Sequence, residues 1–206
     1  LRTEVAGTEA MRIDSSGNVG IGNTVMASFS NLPATDLVVG AGTTNSGITI
    51  YSSTSTGSNI AFADGASGDA RNQGIIQYHH NGDYMRFFTS AAERMRIDSS
   101  GNLFVAKTSA AYQTVGHELL ATGRAFHTAN GGKALSLNRL TSNGAIVDFY
   151  RFGTEIGNIG TAGSGSIYFA EATYGGLAFS TVAAGDITPC NSDGSARDNA
   201  MSLGQP

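Results

Sequence analysis

The chain has 206 residues, of which 28 are glycine, with 14 % charged and 40 % hydrophobic side chains and a formal net charge of −4. That composition excludes a coiled coil, which draws about half its residues from Ala, Glu, Lys, Leu and Arg, and a collagen, since the glycines keep no three-residue period. It also excludes a chain too polar to fold, and the 12 basic residues form no run that would mark a nucleic-acid partner. No apolar stretch approaches the length of a membrane-spanning helix, so no membrane insertion is expected. A lone cysteine, Cys190, rules out an internal disulfide framework and a cysteine zinc site; it is expected to be an inert thiol. The start at Leu1, with neither initiator Met nor signal peptide, reads as a segment of something longer.

In chain order, the first patterned segment is Glu9-Ala-Met-Arg-Ile-Asp-Ser-Ser-Gly-Asn18, and it recurs as Glu93-Arg-Met-Arg-Ile-Asp-Ser-Ser-Gly-Asn102 with one difference in ten. Each copy spells a hairpin. Met11 and Ile13 alternate with polar residues before the break, and Val19 and Ile21 alternate with glycine after it. In the break, Asp14 starts an Asx turn and Gly17 supplies a positive φ, giving a type I turn closed by a glycine bulge. Asp98 and Gly101 take the same roles in the second copy. Period two then places Met11, Ile13, Val19 and Ile21, and in the second copy Met95, Ile97, Leu103 and Val105, inward, toward a neighbouring chain or axis, with Arg12, Asp14, Arg96 and Asp98 outward.

Between and beyond the copies, Ile75 to Met85 reads as strand, Asn-Gly turn, strand, and Ile146 to Ile156 repeats the cadence with Gly153 where Gly82 stood. Further short strands are expected at Leu37–Val39, Ile48–Tyr51, Ile60–Phe62, Leu135–Leu137, Ile167–Phe169 and Leu177–Phe179. No helix of ten residues is expected. The chain thus divides into a shaft-like hairpin segment (1–35), a first β module ending in the repeated motif (36–108) and a second β module (109–206).

The two decapeptides resemble a repeat of bacteriophage tail fibre proteins. So do Ala134 to Gly144, Val147 to Gly160, and the C-terminal run Ile187-Thr-Pro-Cys-Asn-Ser-Asp-Gly-Ser-Ala-Arg-Asp-Asn-Ala-Met-Ser-Leu-Gly204. In that family the last pattern precedes an intramolecular chaperone domain. The resemblance implies an all-β, elongated, interleaved homotrimeric fibre in the virion tail. Its partners would be two further copies of itself, other tail proteins, and a glycan or protein on the host surface. By residue type, Tyr78, His79, His80, Tyr84, Tyr150 and Tyr174 are candidates for receptor contact; buried packing is the alternative for each. A trimeric bacterial surface adhesin is a second reading, and a fibre-borne polysaccharide depolymerase a third.

No catalytic motif, cofactor loop or metal set emerges. His117-Glu118-Leu-Leu-Ala121 begins like a zinc-protease signature but lacks the second histidine, and reads as a polar turn leading into a strand at Leu119-Leu120. Gly132-Lys133 lacks the Ser or Thr of a phosphate loop. His79 and His80 point to opposite faces of a strand, so one chain offers one ion only one of them; three copies around an axis would be needed. Glu93, Asp98, Glu155 and Glu171 are the carboxylates from which a glycosidase pair would have to come.

Overall fold

The computed structural model describes residues 1–23, 36–40, 42, 45–163, 166–173, 175–179 and 187–195. They are nearly all β, and contacts divide the chain into two units, 1–130 and 131–206. Unit one holds a four-stranded sheet, β1 (Arg2–Val5), β2 (Thr8–Ile13), β3 (Val19–Ile21) and β4 (Leu37–Val39). It also holds a seven-stranded sheet: β5 (Gly57–Phe62), β6 (Gly74–His79), β7 (Tyr84–Thr89), β8 (Ala92–Ile97), β9 (Leu103–Val105), β10 (Gly116–Leu119) and β11 (Ala125–Thr128). Unit two is one five-stranded sheet, β12 (Gly144–Arg151), β13 (Thr154–Ala162), β14 (Ser166–Glu171), β15 (Gly175–Phe179) and β16 (Ile187–Cys190). Successive strands are neighbours and antiparallel throughout, except that β4 runs parallel to β3. The one helix among the described residues is a 3-10 turn at Gly68–Asn72.

Ile48–Tyr51 and Leu135–Leu137, read as strands, join no sheet. A strand needs a partner as well as a β-prone sequence. The Ile50 carbonyl is instead taken by the Ser58 hydroxyl at 3.0 Å, and Leu135 and Leu137 line a concavity with Ile146, Val147 and Ile159. His117 and Glu118 lie within β10, not in a turn before it. The seven-stranded sheet runs on to Thr128, past the boundary drawn at 108/109, because β10 takes the outer edge of β9 and pairs Phe104 with Glu118.

Both decapeptides fold alike. Gly17 N–H donates to the Asp14 carbonyl (3.2 Å) and Gly101 N–H to that of Asp98 (3.0 Å), while Asp14 and Asp98 N–H reach Asn18 and Asn102. Gly17 stands at φ 91° and Gly101 at 81°, where a side chain is disfavoured. The Asp14 carboxylate accepts from the Ser16 and Asn18 amides at 2.8 and 3.0 Å, and Asp98 does the same for Ser100 and Asn102 at 2.9 Å each.

A bulge precedes each turn. In β2, Met11 pairs with Thr3 and Glu9 with Glu4, leaving Ala10 as the extra residue; in β8, Met95 pairs with Phe87 and Glu93 with Phe88, leaving Arg94. The extra residue flips the alternation, so Glu9 and Arg12, three apart, share a face. Arg12 donates to Glu9 at 2.6 and 2.7 Å, and Arg96 to Glu93 at 2.7 and 2.8 Å, both bidentate. The position that differs between the copies is the bulged one.

The seven-stranded sheet has two unlike faces. Register places Tyr78, Met85, Ile97 and Leu103 in one row and Ile76, Phe87, Met95 and Val105 in the next, on the same side. Gln77, Arg86, Arg96, Phe104 and Glu118 line the other. Arg96 does oppose Met95 and Ile97, but it is not a solvated side chain: 19 % of it is exposed, against 40 % for Ile97. Among all described Leu, Ile, Val, Met and Phe residues, Phe104 alone is buried. In unit two, Val147, Ile159, Phe169 and Leu177 share one face. The small core, Ala162, Tyr168, Ala178 and Cys190, lies on the other. Gly194 lets a loop close over Tyr168: a Cβ there would fall 2.1 Å from the ring.

Candidate functional site

The β6–β7 hairpin gathers four of the six aromatic and histidine candidates. Its loop spans residues 80–83, with Gly82 and Asp83 at positive φ, longer than a two-residue Asn-Gly turn. Strand alternation splits the four side chains between faces. On the polar face, His79 stacks parallel to Tyr84 with ring centroids 5.1 Å apart, and the Arg96 guanidinium lies 4.2 Å from the centre of the same ring. Arg86 sits 5.4 Å from Tyr84 and donates to Gln77 Oε1 at 2.5 Å. Glu93 joins Arg86 (3.2 Å) to Arg96, so Gln77, Arg86, Glu93 and Arg96 form one hydrogen-bonded ladder. Burial pushes the Glu93 carboxyl up, but the two guanidiniums outweigh it and leave it below the usual carboxylate range.

On the opposite face, Tyr78 meets His80 edge-on at 5.1 Å and donates its hydroxyl to Asp83 Oδ1 at 3.1 Å. That bond raises the Tyr78 phenol above its ordinary value. The His80 ring lies 3.4 Å from the Ser58 hydroxyl. Chemically, this end of the hairpin offers guanidinium and amide groups beside stacked rings, the kind of surface that takes hydroxyl-rich or anionic ligands.

Tyr150 belongs to the other unit, on β12, and is 61 % exposed; Tyr174 lies outside the described residues. Two residues on from Tyr150, Phe152 stands at φ 52° at the tip of the β12–β13 hairpin, 95 % exposed. Sequence reading passed over it, although a bulky residue before Gly153 in a two-residue turn is unusual enough to mark. In the same unit, Asn158 Oδ1 is buried without a hydrogen-bond partner among the described residues. It lines a concavity with Glu155, Tyr168 and Asp193, and would accept a hydroxyl or ammonium donor.

Three of the four carboxylates considered for hydrolysis are engaged otherwise, while Glu171 is exposed at the end of β14. Glu93 is in the ladder, Asp98 closes its turn, and Glu155 accepts from Asn158 Nδ2 at 3.0 Å. Glu118 is paired with Lys107, both side chains 2 % exposed. Lys107 Nζ also donates to the carbonyls of Ala111 (2.6 Å) and Thr114 (3.2 Å), and Glu118 accepts from the Ala111 amide (2.9 Å), so the pair ties down the loop before β10. The Lys107 hydrogen bond holds Glu118 below the usual carboxylate range. Cys190 is 0 % exposed and its thiol is pushed up by burial. Among the described residues no three His, Cys, Asp or Glu side chains gather as a metal set, and no helix is long and apolar enough to cross a membrane. Neither a family model, a curated protein nor a solved structure matches this chain.

Proposed function

We propose that this chain is a structural and receptor-binding segment of a bacteriophage tail fibre, assembled as a homotrimer in the virion tail and used in attachment to the host cell. One observation carries the reading. Each large sheet leaves a row of big apolar side chains exposed on one face: Ile60, Ile97, Val105 and Leu119 in unit one and Ile167, Phe169 and Phe179 in unit two are each 37 % exposed or more. Patches of that kind are protein interfaces in stable proteins. Covering them stabilises at roughly 25 cal/mol per Å² of apolar surface, which short Gly-rich strands cannot gain alone. The decapeptide resemblance supplies the fibre and its threefold symmetry. The receptor contact is assigned to the β6–β7 hairpin end, with Tyr78, His79, His80 and Tyr84, and to the exposed Tyr150.

Sedimentation equilibrium on the 206-residue chain should give about three times 21.1 kDa. A folded monomer at micromolar concentration overturns the assembly. For attachment, the labelled chain should be retained by at least one bacterial surface glycan or outer-membrane extract, and Tyr150→Ala or His80→Ala should weaken that retention. Retention unchanged in both variants removes these residues from the contact.

A further inference from the structure

His117 and His127 face each other across β10 and β11, two strands joined by a hairpin closed through Leu120 and Arg124. Their Nδ1 atoms are 2.8 Å apart, with ring centroids at 5.0 Å and ring planes at 60°. Both side chains are exposed. They extend the row that ends with Val105, the register partner of His117, at the β11 edge of the apolar face. In the free chain one Nδ1 donates its proton to the other.

The same spacing belongs to another arrangement. Two nitrogens in adjacent positions of a square-planar or octahedral ion, each about 2.05 Å from it, stand about 2.9 Å apart. We propose that the His117–His127 pair is a bidentate chelating site for a late first-row divalent ion, copper(II) or nickel(II) ahead of zinc(II). Water completes the coordination. The backbone needs no rearrangement, because the ladder between β10 and β11 already holds both rings at ligand separation. The donor ring moves its proton from Nδ1 to Nε2, so two neutral imidazoles bind with no net release of a proton. Glu118 points to the opposite face and is held by Lys107, so no carboxylate from β10 joins the set. A neutral two-imidazole set selects against magnesium and calcium, which require oxygen ligands. The site needs only one chain and does not rest on trimer assembly.

The test is isothermal titration of the intact chain with nickel chloride in a non-chelating buffer. The chain has four histidines, so His79→Gln/His80→Gln leaves only the proposed pair. The wild type and that double variant should bind one nickel ion per chain, and His117→Gln or His127→Gln should each weaken binding at least tenfold. Far-UV circular dichroism checks that each variant is folded. Acidification should release the ion, since imidazolium has no lone pair to give. Undiminished nickel binding by His117→Gln, loss of binding in His79→Gln/His80→Gln, or no saturable binding by the wild type would each overturn the site, leaving the pair as a plain N–H···N hydrogen bond.

Discussion

The two copies of the decapeptide build the same hairpin and then part company. In the first, Gly20 faces Arg12, and the next strand, β4, is parallel. In the second, Phe104 faces Arg96, and the next strand, β10, is antiparallel and brings Glu118 over Phe104. The likeness runs further than the ten residues. Gly22 (φ 63°) and Ala106 (φ 61°) share a left-handed backbone and the same hydrogen bond, to the carbonyl of the bulged residue, at 2.8 and 2.9 Å. A buried polar side chain follows in each: Asn23, which donates to the Gly40 carbonyl at 2.8 Å, and Lys107, which meets Glu118. The repeat therefore specifies turn, bulge and ion pair, and the residues beyond it decide what covers the hairpin.

The largest break in the comparison should come at Lys107. Lys107→Met leaves the Glu118 carboxylate without its cation and should destabilise the second copy's sheet more than a substitution at Gly101, Glu93 or Ala106. Lys107→Met/Glu118→Leu, which removes both charges, should recover most of the loss. Chemical unfolding of the two variants reads the difference, and equal losses would show that the ion pair is not what holds the loop.

Next come the turns, where the copies should respond equally. Gly17→Val and Gly101→Val should each cost about 1–2 kcal/mol per chain, because a Cβ is disfavoured at these φ values. Space is not the obstacle: a Cβ at Gly17 meets nothing within 4 Å, and at Gly101 only the Ala121 methyl at 3.8 Å. Unfolding midpoints that move for one variant only would break the equivalence.

Acid should weaken both copies. Arg12's hydrogen bonds, with Arg2 at 3.6 Å, hold Glu9 below its ordinary value; Glu93 is held down by both Arg96 and Arg86 against its burial. A carboxyl whose pKa is lower folded than unfolded adds stability above the ordinary carboxylate range and loses it as pH falls through the folded value. Glu9→Gln and Glu93→Gln should therefore each flatten the acid limb of the stability curve. An acid limb unchanged in Glu93→Gln would sink the ladder's role. The smallest effect sharpens the comparison at its outer edge: Ala106→Gly, which copies Gly22, should stabilise by up to about 1 kcal/mol by relieving the left-handed alanine.

Much of this was legible in residues with local rules. Asp14 and Gly17 spell their turn in five residues, and the period of Met95 and Ile97 gives their face. The bulge was not legible, because Ala10 and Arg94 look like ordinary strand residues; only the pairing of Glu93 with Phe88 reveals the slip. Glu118 and Lys107 lie eleven residues apart with no shared pattern, so their burial depends on β10 folding back on β9. Ile48–Tyr51 had the composition of a strand without a neighbour to pair with. The His117–His127 pair became visible only when register set the two rings opposite one another.

The central claim is that another chain covers the apolar face carrying Ile97 and Val105. It is tested most directly by the maleimide reactivity of Ile97→Cys in the native protein, compared with Arg94→Cys at the exposed bulge, with buried Cys190 as the unreactive background. The account predicts that the cysteine at position 97 reacts at least tenfold more slowly than the one at 94, and that the gap closes on unfolding. Equal rates in the native protein would mean that the face stays open to water, contradicting the trimer built on it.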